Sequence, residues 1–308
     1  MEHDTAGDPI TGVKWTHKTS EKVSTELAKF GIIVSAKTVW RLLKNLGFSL
    51  RINYKSMESG NKNPPAPKDR DCQFQCIKQK RESFASAQNP VISIDSKKRE
   101  LIGNFKNNGT SWENEPVQVK DHDFPSDADG IALIYGIYDI QNNLGDICVG
   151  TSHDTPSFSV ECIVNWWKRI GKKLWPKAKE LLVLADSGGS NSSRSRVWKY
   201  KMYHKLTKPY GITITVCHYP PGTSKWNPIE HRLFSEISKN WVGKPLTSYE
   251  TVLKYLRTTK TKTGLKVSAR LNRKTFHTGE RVTDKEMKMI SMKKNEVFPK
   301  WNYSILSN

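Results

Sequence analysis

The chain has 308 residues, with 50 Lys and Arg against 30 Asp and Glu, a formal net charge of +20. Hydrophobic residues make up 36% and Trp alone occurs 10 times, which excludes a wholly disordered chain and supplies a core for about two domains. No apolar run approaches the ~18 residues of a membrane span. The N-terminus has no basic stretch leading into an apolar one, and five cysteines (Cys72, Cys76, Cys148, Cys162, Cys217) without a repeated CxxC pair fit a reducing cytoplasm better than a disulfide framework or zinc ribbon.

The spacing predicts two short helices between residues 20 and 48. Ser20 is a candidate cap for the first, with Val23, Leu27 and Phe30 on one face and Gly31 as its stop. Ser35 is a candidate cap for the second, with Val39, Leu42, Leu43 and Leu46 as its buried stripe and Gly47 at its end. This is helix-turn-helix spacing. The second helix would then be the reader of a DNA-binding region over residues 1–55, presenting Lys37, Thr38, Arg41, Lys44 and Asn45. Residues 56–70 are polar with three prolines and read as a linker; residues 71–88 look helical, so that 56–88 connects two domains.

From residue 90 the pattern is α/β. Val91–Ile94 is a β-branched run leading into Asp95. Ile131–Ile140 and Asp146–Thr151 are the next strands, joined by the turn residues 141–145. A helix follows over 155–171, then the solid apolar run Leu181–Ala185, expected of a strand buried on both faces and ending in Asp186. A helix over 194–206, a strand over Ile212–Cys217 and a helix opening at Pro228 complete the series. The order β-β-β-α-β-α-β-α is that of an RNase H-like fold, here over residues 89–242. Residues 243–308 form a basic extension: the last 68 residues hold 15 basic and 5 acidic side chains, half of the net excess. That extension is expected to fold onto the preceding domain, anchored by Trp301 and Tyr303. Lys254, Arg257, Lys260 and Lys262 would meet DNA phosphates from a helical segment that frays into TTKTKTG.

Three carboxylates fall where such a fold converges. Asp95 and Asp186 end strands that are neighbours in the sheet, and Glu230 lies in the first turn of the last helix. Three such groups repel one another unless cations are present. Oxygen ligands with open positions suit Mg²⁺ or Mn²⁺, and a pair of ions ~3.5–4 Å apart serves phosphodiester chemistry. Asp121, Asp123, Asp127 and Asp129 crowd a loop and read as solvated. Asp154 reads as a helix cap. His218 and His231 flank the site, either to orient a phosphate or as packed residues. Gly188-Gly189-Ser190-Asn191 lacks the Lys of a P-loop and reads as a sharp turn after Asp186.

The strings YGIYDIQNNLGDICVG, SHDTPSFSVECIVNWW, LADSGGSNSSR and HYPPGTSKWNPIEHRLFSEISKNWVGKPL resemble the ISAzo13-family DDE transposases, relatives of the IS630/Tc1-mariner group. WTHKTSEKVSTELAKFGIIVSAKTVWRLLKNLGFSL resembles the helix-turn-helix before the catalytic core of that family. The resemblance, from Trp15 to Tyr303, implies an insertion-sequence transposase acting in a bacterial or archaeal cytoplasm, on the nucleoid. It would cleave double-stranded DNA at element ends, join 3′-hydroxyls to target, use two Mg²⁺ or Mn²⁺ ions, and work as a homo-oligomer on DNA, away from any membrane. On the family pattern Asp95, Asp186 and Glu230 are both catalytic and metal-binding. Related full-length transposases carry a further helical segment ahead of the helix-turn-helix, so a truncated copy is one expectation. A DNA-binding relic or repressor with an idle RNase H-like domain, and a structure-specific nuclease, are the rival readings. The complete carboxylate set argues against the first and the helix-turn-helix against the second.

Overall fold

A computed structural model describes residues 5–7, 14–16, 19–46, 48 and 65–307. The chain divides into two compact units, residues 1–60 and 61–308. Gly47 and residues 56–64 of the expected linker lie outside the described residues.

In the first unit, β1 (Thr5–Gly7) pairs antiparallel with β2 (Lys14–Thr16), a hairpin the sequence reading did not contain. Helices follow at Ser20–Lys29 and Ala36–Asn45. The first is capped by Thr19 and not Ser20: Thr19 is extended and its hydroxyl accepts from Lys22 N, whereas Ser20 is already helical. Gly31, at φ +79°, ends it in the left-handed conformation expected of a helix stop. Ser35 caps the second helix as anticipated. The expected apolar stripes are only partly covered. Val23 and Val39 are buried, but Phe30 (74% exposed), Leu42 (49%) and Leu46 (71%) are not. Two ten-residue helices offer each other too little surface to cover a full stripe.

The second unit opens with a helix, Pro67–Ser86, starting on a proline at its first turn, where the missing N–H costs nothing. Its core is one nine-stranded mixed sheet, in the order β10-β11-β8-β7-β3-β5-β6-β9, with β4 paired to β5 off that path. The strands are β3 (Val91–Ser96), β4 (Glu100–Ile102), β5 (Gly130–Asp139), β6 (Leu144–Gly150), β7 (Glu180–Ala185), β8 (Thr213–His218), β9 (Lys266–Asn272), β10 (Met292–Lys294) and β11 (Asn302–Ile305). β3, β7 and β8 run parallel and β5 is antiparallel to β3 and β6. The middle five strands therefore stand in the order and directions of an RNase H-like sheet.

Alternation assigns the faces. Ile92 and Ile94 of β3 join Leu181, Val183 and Ala185 of β7 in one core under the helices that begin at Pro156 and Arg196. Val91, Leu182 and Leu184 face the other way, under Pro67–Ser86. The apolar run of β7 is thus buried on both faces, as its composition required. Further along that second face, helix 228–240 and helix Tyr249–Thr258 cover Ile134, Tyr138, Ile147 and Val149. The helix from Pro156 runs on to Leu174 through a wide π-helical turn at Trp167–Gly171, beyond the expected end at 171. The one from Arg196 widens at Tyr203–Thr207 and stops at Gly211, φ +62°.

The basic extension supplies both edges of the sheet. β9 pairs parallel with β6, and β11 pairs antiparallel with β8. Tyr303 is buried in β11 while Trp301 is half-buried. The segment after Thr258 does not fray: Lys260 bridges to Lys266, and the Thr261 hydroxyl accepts from Leu265 N. Among the described residues no helix is long and apolar enough to cross a membrane.

Candidate active site

β3 and β7 are adjacent and parallel, with Ile94 opposite Ala185, so Asp95 and Asp186 follow at the same end of the sheet. Asp95 is 7% exposed and accepts from Ser96 N at 2.7 Å. Burial, then Asp186, then Glu230 push its carboxyl up to about 8, against the opposing Ser96 amide. Burial likewise pushes Asp186 up to about 6, partly offset by the Gly188 amide and reinforced by Glu230 and Asp154. Glu230 acts on both Asp95 and Asp186. The three candidate carboxylates therefore stand near enough to feel one another's charge. Among the described residues none of the three forms an ion pair with Lys or Arg.

Glu230 arrives from the second face of the sheet. The helix begins at Pro228 and opens a π-helical turn at Glu230–Phe234. It can sit close because Gly136, the β5 residue opposite Asp95, has no side chain. A Cβ there would stand 2.6 Å from Phe234 Cε1 and 2.8 Å from Ile229 Cδ1. Polar bonds tie the helix start to β3. The Ser93 hydroxyl donates to Asn227 Oδ1, Asn227 Nδ2 donates to the Ile94 carbonyl at 3.3 Å, and Ile229 N donates to Ser93 Oγ at 3.1 Å.

The backbone of Asp186 is held from below. His218 Nδ1–H donates to the Asp186 carbonyl at 2.7 Å, and its Nε2 lies 3.4 Å from the Tyr303 hydroxyl. His218 is 1% exposed, and burial pushes it down to about 4, so the ring is neutral at physiological pH. It is a packed support and not a phosphate contact; His231 is exposed. The turn after Asp186 behaves as the glycines suggested: Gly189 has φ +58° and buried Asn191 accepts from the Tyr135 hydroxyl at 2.7 Å.

Asp154 departs from expectation. Thr155, and not Asp154, caps the helix, its hydroxyl accepting from Phe158 N at 3.2 Å. Asp154 Oδ1 is buried with no hydrogen-bond partner and its charge acts on Asp186. Asp154 and Thr155 are adjacent residues that can both cap a helix, and the register of this helix selects Thr155. Asp121, Asp123, Asp127 and Asp129 are exposed, as read.

The donor set fits a hard divalent cation. It is all oxygen, of like charge and uncompensated by Lys or Arg, with Asp95 buried and Asp186 and Glu230 half-buried, an arrangement whose repulsion a cation relieves. As the side chains stand, no three His, Cys, Asp or Glu groups among the described residues are grouped about one point to hold an ion. Any such ion would require a change of rotamer.

The basic candidates lie elsewhere. Lys37, Arg41 and Lys44 are exposed along one face of helix Ala36–Asn45, with Lys44 Nζ 5.0 Å from the Trp40 ring centre. Thr38 is half-buried, with its hydroxyl 3.0 Å from the Ser35 hydroxyl. Lys254, Arg257, Lys260 and Lys262 are exposed, though Arg257 Nε is engaged by the Ala269 carbonyl at 3.0 Å.

A family model described as the Rhodopirellula transposase DDE domain matches residues 1–307. No curated protein matches the chain. Among solved structures it is similar to the Mos1 strand transfer complex, at 15% identity and TM-score 0.47, over 78% of this chain and 64% of that one. It is also similar to the Mos1 mariner paired-end complex with Mn (15% identity, TM-score 0.46, 78% and 65% covered) and to the paired-end complex with Mg (14%, 0.45, 78% and 65%). The chain thus spans just under two thirds of the length of these Mos1 chains.

Proposed function

The chain belongs to the transposase DDE-domain family, and from that premise we propose that it is an insertion-sequence transposase, a polynucleotidyl transferase that cleaves DNA strands and joins 3′-hydroxyls to a target. The observation that carries this reading is the mutual repulsion of Asp95, Asp186 and Glu230, Asp95 buried and the other two half-buried, with no Lys or Arg paired to them among the described residues. Asp95, Asp186 and Glu230 would hold divalent cations, Mg²⁺ or Mn²⁺. Two such ions, when bound, activate a water or 3′-hydroxyl and stabilise the leaving oxygen.

The chain's own groups do the rest. The paired strand ends fix two carboxylates at one end of a rigid sheet, and the 228–240 helix delivers the third. Neutral His218 keeps the Asp186 backbone in place without adding a charge that would compete with a cation. Lys37, Arg41 and Lys44 supply contacts to a duplex major groove, and Lys254, Arg257, Lys260 and Lys262 contact phosphates of element ends or target. The protein would act as a homo-oligomer on DNA, in the cytoplasm.

The test is strand cleavage and joining on a duplex carrying the element end, with Mg²⁺ or Mn²⁺. Asp95→Asn, Asp186→Asn and Glu230→Gln keep shape and remove charge, and each is expected to abolish both steps. Near-wild-type cleavage by any one of them removes that residue from the site.

A further inference from the structure

The residue before a helix-opening proline is where an N-cap belongs, and Asn227 has the chemistry for it. Its side chain turns away instead. Oδ1 accepts from the Ser93 hydroxyl and Nδ2 donates to the Ile94 carbonyl. The helix amide left open, Ile229 N, donates to Ser93 Oγ at 3.1 Å. The cap of this helix is thus supplied by strand β3. Both side chains are 0% exposed, so each bond is made away from water, where an unmade partner is costly.

The position of the pair is what matters. Ser93 is two residues before Asp95 and on the same face of β3. Asn227 is three residues before Glu230, whose amide donates to the Asn227 carbonyl at 3.0 Å. The π-helical turn begins at Glu230, and sliding it to α register would swing that residue by about 100° around the axis, one residue's worth of helix. The helix ladder alone does not decide where Glu230 points. The link to β3 ties down the start of the helix, three residues before Glu230.

We infer that Ser93 and Asn227 are a positioning pair that indexes the Glu230 carboxylate to that of Asp95, and so sets the divalent-metal affinity of the site without touching metal or DNA. The inference rests on the reading of Asp95 and Glu230 as metal ligands. Groups that orient ligands in this way typically govern ~10–100-fold in metal affinity.

The test is Mn²⁺ titration of the full chain without DNA, with free Mn²⁺ followed by electron paramagnetic resonance and folding checked by circular dichroism melts. Ser93→Ala and Asn227→Ala are each expected to weaken Mn²⁺ binding by about 10–100-fold. The double variant should be no weaker than the weaker single one, because the two groups act as a unit. Ser93→Thr keeps the hydroxyl and should bind Mn²⁺ as the wild type does. If Asn227→Ala does not fold, Ser93→Ala, which loses one oxygen, carries the test. Wild-type affinity in a folded Ser93→Ala variant, alongside weakened binding in Glu230→Gln, overturns the inference and spares the ligand reading. Unchanged affinity in Glu230→Gln overturns the ligand reading of Glu230, and the positioning role with it. Simple additivity of the two alanine effects also overturns the pair as a unit.

Discussion

Two groups of buried acids share this sheet and are treated in opposite ways. Asp146, 2% exposed on β6, is met by Arg169 at 2.7 Å, by Arg270 and by the Ser268 hydroxyl at 2.6 Å. Asp95, 7% exposed on β3, is acted on by two more carboxylates and by no arginine. The first arrangement neutralises its charge within the fold. The second leaves the acid among like charges. The contrast separates an acid paired within the fold from one that is not, and the proposed catalytic role would account for the second.

The largest expected effect is on the structural side. Asp146→Ala strands Arg270 and Arg169 beside the core. Breaking a buried pair costs ~3–5 kcal/mol, and the half-exposed Arg169 brings that to about 2–4 kcal/mol here. Urea unfolding at neutral pH measures it, and a loss under about 1 kcal/mol would erase the distinction. Asp95→Asn should go the other way. It removes like-charge repulsion, and the Asn Oδ1 still accepts from Ser96 N. Metal-free stability at pH 8 is expected to rise by about 1–3 kcal/mol while strand cleavage is lost. A destabilised Asp95→Asn would place Asp95 with the structural acids.

The pH dependence follows from the same groups. In the unfolded chain a carboxyl loses its proton near pH 4; in the folded, metal-free protein Asp95 keeps it to about 8 and Asp186 to about 6. The folded state holds more protons through that window, so these groups make stability fall as pH rises from about 4 to 8. Subtracting the Asp95→Asn curve isolates the effect from other titrating groups. Mg²⁺ or Mn²⁺ should stabilise the wild type more at pH 8 than at pH 6, because bound metal needs the ionised form. At ten times its dissociation constant the ion contributes about 1.4 kcal/mol. A metal effect of equal size in wild type and Asp95→Asn would break the comparison.

Much of this was legible in the sequence, and the reasons are specific. Strand-ending Asp95 and Asp186 and the helix opened by Pro228 could be read because β-branched runs and a helix-opening proline are local signals. The tail was harder. β9 and β10, the two edge strands, and β11 beside β10 carry mixed polar patterns, and nothing local says that β9 pairs with β6 while β11 pairs with β8. Ser93 carries no local signal, because a serine inside VISID looks like an interruption of an apolar strand. Its meaning depends on Asn227, 134 residues away. Asp146 was equally silent: its arginines come from residues 169 and 270.

Asp139 tests a middle case. It is 0% exposed, but its neutralisers are uncharged: Gln141 N at 3.1 Å, Asn142 N at 3.0 Å, Asn142 Nδ2 at 2.9 Å and Trp175 Nε1 at 3.0 Å. Trp175→Phe removes one donor of four and keeps most of the ring. The expected cost is about 1–2 kcal/mol in urea unfolding, in the range of a hydrogen bond to a charged group and below that of Asp146→Ala. An equal or larger loss would mean that neutral donors hold a buried acid as tightly as two arginines.

Asp154 should give the smallest effect and the sharpest assignment. One of its oxygens is buried without a partner, and Thr155 has taken the cap, so it does not behave as Asp146 and Asp139 do. Its charge raises Asp186, which groups it with the repelling carboxylates. Asp154→Asn preserves volume and removes that repulsion. At pH 8 without metal the variant should be as stable as the wild type or more stable, by no more than about 1 kcal/mol, since one partly solvated like charge is all that changes. The titration of Asp186, followed by carboxyl carbon shifts, should move down toward the ordinary range. A loss of 1 kcal/mol or more would mean that Asp154 is a structural acid whose partner lies on its other oxygen. An unmoved Asp186 would mean that the two carboxylates do not share a site.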